Sequence, residues 1–321
     1  MATYLLRRSL LLVLSVAVAG VVLFALLRIL PGDPANALLS VGASPEQAAA
    51  ARHELGSDRP LPEQFAGWAR SMATLDLGRS FVSSLPVASE IAARLAVTVP
   101  LTVLSFLLSV LVAVPVGFVT ALRRTTWYGT LLSGLGQLGL AVPVFWIGML
   151  LITVFALRLR WLPAGGFPTG DWSDPAAALT SLALPVLTIT LVMSASLIRY
   201  VHSAAIDVLD AGYLRTARAL GSSLTVAVWR HGLRNAAAPV IPILGVELAT
   251  TFLGAVVVEN VFALPGLGGM LVKAFAQHDW PVIQGILVLS TCAVLVIGFV
   301  ADLAQRLIDP RLRRTVTGAT A

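Results

Sequence analysis

Residues 95–122 read LAVTVPLTVLSFLLSVLVAVPVGFVTAL, twenty-eight consecutive positions without a charge. About 20 apolar residues, rising about 1.5 Å each, carry a helix across the hydrocarbon of a bilayer, so this run is long enough to span one. Similar uncharged runs cover Ser9–Leu27, Thr125–Leu157, Pro175–Ile198 and Trp280–Ala301, and a sixth, Ala236–Val258, is interrupted only by Glu247. The pattern predicts an all-α integral membrane protein with six transmembrane helices. Composition agrees: 57% of the chain is hydrophobic and 12% is charged, about half the charged share of a soluble domain.

The formal net charge of +6 would suggest a nucleic-acid partner in a soluble protein. Its distribution gives another reason. With the N-terminus in the cytoplasm, thirteen arginines fall on cytoplasmic pieces, while the two short outer connections carry only Arg158, Arg160 and Lys273. That asymmetry fixes an N-in, C-in orientation and leaves no call for nucleic acid. Arg7 and Arg8 before an apolar run containing Ala17-Val18-Ala19 resemble a signal peptide, but the run continues to Leu27, as in an uncleaved anchor.

The resulting organisation is a cytoplasmic N-terminus (1–8), a first span (9–30), an extracytoplasmic region (31–94), a five-helix core (95–309) and a cytoplasmic tail (310–321). The first span ends at ILPGDPAN, where Pro31 and Pro34 stop the helix. In the outer region, Ser44 and Pro45 can start a helix that Gly56 ends, forming a small cap. Leu61–Met72, with Phe65, Trp68 and Ala69 at helical spacing, predicts a second helix lying on the membrane surface or on that cap. Pro143, in AVPVFWIGMLL, is expected to kink the third span, either for packing or to shape a pathway.

Redox and metal chemistry find no support. Cys292 is the only cysteine, and His53, His202, His231 and His278 are scattered without ligand spacing. Glu247 is the exception inside a span. A carboxylate at bilayer depth costs roughly 3 kcal/mol even on insertion scales, so it should face another helix or a cavity. It is a candidate for the translocation path, together with Pro143. PGLGG at 265–269 lies on the outer face and predicts a tight re-entry into a helix over 270–277. Pro265, Gly266 and Gly268 are candidates for an outer gate or a binding-protein contact.

Between the fourth and fifth spans lies a basic cytoplasmic loop, 199–235. Within it, YLRTARALG places Tyr213, Leu214, Ala217 and Leu220 on one arc at 100° per residue, with Arg215 and Arg218 beside it. Gly221 supplies a left-handed helix terminus, and Ser222 or Ser223 caps a following helix through Leu224, Val226, Val228 and Trp229. Basic amphipathic helices often lie on anionic lipid. Small residues at Ala217, Ala219 and Gly221, with Asp207 and Asp210 nearby, suit a protein groove better.

YLRTARALG followed by RHGLRNAAAPV resembles the cytoplasmic "EAA" loop of ABC importer permeases, particularly the dipeptide, oligopeptide and nickel branch. LPGDP, ELG, DLGRS, VPVFWIGML, ENVFALPGLG and DPRLR extend the resemblance over nearly the whole chain. The resemblance implies a type I permease fold in a bacterial inner membrane. It further implies that Tyr213, Leu214, Arg215, Thr216, Ala217, Arg218 and Gly221 form a coupling helix docked on a separate ATPase. Where the general motif has an acidic residue and a proline, this chain has Arg215 and Arg234. The implied partners are a second permease subunit, two ATPases carrying ATP and Mg, and an extracytoplasmic substrate-binding protein, with lipid around the spans. The chain itself has no Gly-Lys-Ser/Thr to cradle phosphate, since its one lysine, Lys273, follows a valine. No enzymatic activity is therefore expected of it. The alternatives are an ion-coupled transporter or channel using Glu247, or a membrane scaffold.

Overall fold

The computed structural model describes residues 2–29, 58–127 and 142–308, together with positions 46, 129, 131 and 134. The expected helix over 44–56 and the tail over 310–321 lie outside the described residues. The described elements are helical: α1 (Ala2–Ile29), α2 (Leu61–Ala73), α3 (Val87–Leu122), α4 (Val144–Leu151), α5 (Pro175–Leu209), α6 (Gly212–Ala219), α7 (Leu224–Ala227), α8 (Leu233–Val261), α9 (Leu267–Gln277) and α10 (Trp280–Ile308).

Among the described residues, five helices are long and apolar enough to cross a membrane, the α7–α8 pair counting as one continuous helix over Leu224–Val261. The sixth expected span, Thr125–Leu157, is helical at the described positions 127, 129, 131 and 134 and again from Val144, where it continues as a π-helical stretch over Ile152–Arg158. Pro143 is therefore not a mid-helix kink. With ψ at 137° it is extended and stands immediately before α4. The proline ring lacks the amide hydrogen that an interior helical position must donate, so the helix begins after it.

Contacts divide the chain into two compact units, one formed by the described parts of Met1–Thr98 and Pro265–Val296, the other by Val99–Leu264 and Ile297–Ala321. In the first unit, α2 packs on α1. Phe65 and Trp68 pack against Phe24 at 5.4 and 5.7 Å between ring centroids, and the Trp68 indole lies beside Gly20. The amphipathic helix expected on the membrane surface or cap thus rests on the first span. Elsewhere in this unit, Asp279 accepts hydrogen bonds from Ser80 Oγ (2.5 Å) and the Phe81 amide (3.1 Å). Both Ser80 and Asp279 are buried, so this tie fastens the DLGRS loop to the start of α10. We expect Asp279→Ala to destabilise the protein by about 1–3 kcal/mol, the cost of leaving buried donors unsatisfied, read as a lower melting temperature of the purified protein.

In the second unit, α3, α5 and α8 share a core. Ala113, Met193 and Leu197 pack with Phe106, Ile243 and Leu244, and Val201, Ala204 and Val240 continue the seam. Small residues allow the close approach on which helix association in lipid depends. A Cβ on Gly117 would lie 2.7 Å from Val201, and one on Gly245 would meet the Ala301 methyl. Hydroxyls add cross-helix bonds: Ser109 Oγ donates to the Thr190 carbonyl (3.4 Å), and Ser194 Oγ donates to the Ser109 carbonyl (3.5 Å).

Candidate functional site

The polar loop between the fourth and fifth spans contains little irregular chain. Helix α5 runs ten residues past Arg199 to Leu209, α6 follows after two residues, and α7 begins at Leu224. From α7 the helix passes through a π-helical turn, Val228–Gly232, into α8. The segment expected to couple is therefore held between the inner ends of two spans.

Helix α6 ends as a Schellman turn. The Gly221 amide donates to the Arg218 carbonyl, the Ser222 amide donates to the Ala217 carbonyl, and Gly221 has φ +93°. Ser223 Oγ then accepts from the Val226 amide (3.4 Å) and starts α7. Of the two serines considered, Ser223 is the cap.

Which face of α6 points inward differs from the expected arc. Leu214 is 1% exposed and joins a cluster with Val208, Ala227, Val228 and Ala236, against which Ala217, Phe118 and Leu224 pack. Tyr213 is exposed and Leu220 is 82% exposed. Arg215, Thr216, Arg218 and Gly221 are exposed as well. Leu214 is thus turned toward the chain's own core. Its side chain is used to hold the helix to the chain's own core, and the half-buried Ala217 shares that task. Truncation to Leu214→Ala should cost about 2–5 kcal/mol, measurable by thermal unfolding in detergent.

Two electrostatic ties flank the segment. Arg124, just after α3, makes a bidentate pair with Asp210, at 2.9 Å (Nη1 to Oδ2) and 2.8 Å (Nη2 to Oδ1). Asp210 caps the C-terminal end of α5 immediately before α6. The hydrogen bond from Arg124, reinforced by the charges of Arg124 and Arg215, holds the Asp210 carboxyl below its ordinary value of 3.8. The lowered acid pKa means that the pair stabilises fully above that ordinary value. Its contribution is lost as pH falls through the depressed value. The melting-temperature gap between the wild type and Asp210→Asn should therefore be constant from about pH 5 to 7 and shrink below about pH 4. Arg234, standing where the general motif has a proline, donates from Nε to the Ile308 carbonyl at the end of α10 (2.9 Å), a favourable place for a cation. Neither tie was visible in the sequence, although an aspartate just past an apolar run is a helix-end signal.

Glu247 sits fourteen residues from each end of α8 and is half-buried. Ser196 Oγ on α5 donates to its Oε1 at 2.6 Å. At the outer end, Gly266 and Gly268 are buried and Pro265 is half-buried. The Leu267 amide donates to Thr98 Oγ1 (2.9 Å), and Arg94 reaches the Pro265 carbonyl (3.5 Å). The re-entry helix starts at Leu267, three residues earlier than expected. Gly266 and Gly268 are thus covered by the chain's own residues.

A helical membrane bundle of this kind, with a short exposed helix held between the inner ends of two spans, is the architecture of an importer permease. Residues 113–314 match the family described as "Binding-protein-dependent transport system inner membrane component", and residues 1–102 match its N-terminal companion. The chain belongs to this family and is an inner-membrane permease component of a binding-protein-dependent ABC transporter. It is 36% identical over 313 residues to the glutathione transport system permease protein of Escherichia coli K12, covering 98% of this chain and 99% of that protein. A Sinorhizobium fredii protein named for peptide ABC transport is 37% identical over 313 residues, covering 98% and 100%. A Brucella abortus protein named for a peptide transport system is 36% identical over 297 residues, covering 92% and 94%. Among solved structures, an inward-facing MetNI methionine ABC transporter shares the fold, with a TM-score of 0.58 and 19% identity over 70% of this chain and 99% of that one.

Proposed function

We propose that this chain forms half of a translocation path for peptides or a related small solute, paired with a second, homologous permease. Of the two separate ATPases in the complex, one grips this chain through Tyr213, Arg215, Thr216, Arg218 and Gly221, with the exposed Leu220 among them. ATP and Mg are bound on those ATPases, and this chain carries no catalysis of its own. An extracytoplasmic binding protein delivers solute to the 31–94 side, and Pro265 belongs to the outer gate. The observation that carries the reading is the division of α6: Leu214 and Ala217 are sunk in the chain's own core while the basic residues are left exposed. A helix anchored on one side and presented on the other transmits an external push to α5 and α8 as a rigid body. ATP shifts the access equilibrium only by favouring one state, and the docked helix conveys that difference.

The relatives named for peptide and glutathione transport point to small solutes bearing both an ammonium and a carboxylate. The test is co-purification. An affinity tag on this chain should recover the ATPases in proportion to the permease, and Gly221→Asp should release them. Near φ +90° an L side chain is strained by about 1–2 kcal/mol, so the Schellman turn reorients. Unchanged ATPase recovery from a folded Gly221→Asp protein would remove the proposed grip.

A further inference from the structure

Glu247 is a carboxylate midway along a membrane span, and among the described residues only Ser196 bonds to it. Ser196 Oγ donates to Oε1, and Oε2 accepts no hydrogen bond from the described chain. Arg199, one turn beyond Ser196 on α5, does not neutralise it. The Arg199 guanidinium lies over the Tyr200 ring at 4.9 Å and donates to the Tyr200 hydroxyl (3.2 Å). A carboxylate this deep in lipid would be costly, and such groups face a bundle interior or a water-filled cavity. The neighbouring surface of α8 supports the cavity. Thr250 and Gly254 follow Glu247 at helical spacing and are exposed between the larger Val246, Leu253 and Val257, so a hydroxyl and a gap in side-chain cover lie on the carboxylate's side of α8. Ser196 holds one oxygen, and the other has no hydrogen bond from the described chain.

Resting on the permease reading above, we propose that the Ser196–Glu247 pair is a cation-selecting site in the translocation path, and that the solute passes it with a protonated amine leading. One carboxylate and one hydroxyl supply too few oxygen ligands for a divalent metal ion. An ammonium needs only an anionic acceptor and one or two further oxygens, which Oε2 and the Thr250 hydroxyl provide.

The test does not require the solute. In the assembled transporter, Cys292 on α10 is replaced by alanine and Thr250, one turn from Glu247, by cysteine. The labelling rate is then measured with a trimethylammonium methanethiosulfonate and with its sulfonate counterpart. The expected result is reaction with both reagents and a preference of about tenfold or more for the cationic one, because a fixed carboxylate one turn away attracts one reagent and repels the other. Adding Glu247→Gln should bring the two rates together, and Glu247→Asp should keep the preference. No reaction at position 250 would place this side of α8 in lipid or against a neighbour. Equal rates with Glu247 present would show a wet path without selection. Either outcome overturns the proposal, and both do so even if Glu247→Gln fails to fold. The ATPase recovered from the same preparation reports separately on the permease reading. Intact recovery with equal rates sinks the site alone, and lost recovery sinks the reading on which it rests.

Discussion

Reversing the exposed charges of α6, with Arg215→Glu and Arg218→Glu together, should abolish ATP-driven uptake while leaving the permease folded. Both side chains are exposed, so the chain's own core loses no packing. Arginine anchors at protein interfaces commonly cost a factor of ten or more in affinity when truncated, and reversal adds repulsion. Two together should weaken ATPase binding by on the order of a hundredfold or more. The check is paired: uptake into proteoliposomes falls to background, and the melting temperature of the isolated permease stays within about a degree, as expected of surface substitutions. A loss of both would mean that these residues support the fold.

The second large effect is structural. Gly245→Leu should prevent the α8–α10 contact from forming, because even a methyl at 245 would meet the Ala301 methyl. Overpacked helix contacts typically cost 1–3 kcal/mol and occasionally more, and Leu adds three carbons beyond that first clash. The informative form is a swap. Gly245→Ala alone should destabilise, and Gly245→Ala combined with Ala301→Gly should recover most of the loss, because the second change empties the space the first fills. Additive losses in that double-mutant cycle would show that the two residues do not meet.

The spans were legible because a bilayer imposes length and apolarity on a sequence directly, and five of the six runs appear as long helices. In Thr125–Leu157 the proline marked an irregularity, but a helix that starts anew after Pro143, with Pro143 itself extended, was not distinguishable from a kink by sequence. The Schellman turn at Gly221 was legible because glycine and a following serine encode a local geometry. The facing of α6 was not. A helical wheel orders residues around an axis, but it does not say which neighbour the apolar arc meets. Here Leu214 meets Val208 and Ala227 from its own chain, while Leu220, at the loosening last turn, is left outside. The Arg124–Asp210 pair, 86 residues apart, and the Ser196–Glu247 bond, 51 apart, depend on packing that no local pattern encodes. The same holds for the burial of Gly266 and Gly268: PGLGG states a turn, but not what covers it.

The central claim is that a separate ATPase grips the outward face of α6. The most direct measurement introduces a photoreactive phenylalanine at position 218 of the assembled transporter and identifies its cross-linked partner by mass spectrometry. The account predicts one dominant adduct, to the ATPase subunit, formed whether the complex sits in detergent or in lipid. Adducts confined to phospholipid, or to the permease itself, would contradict it.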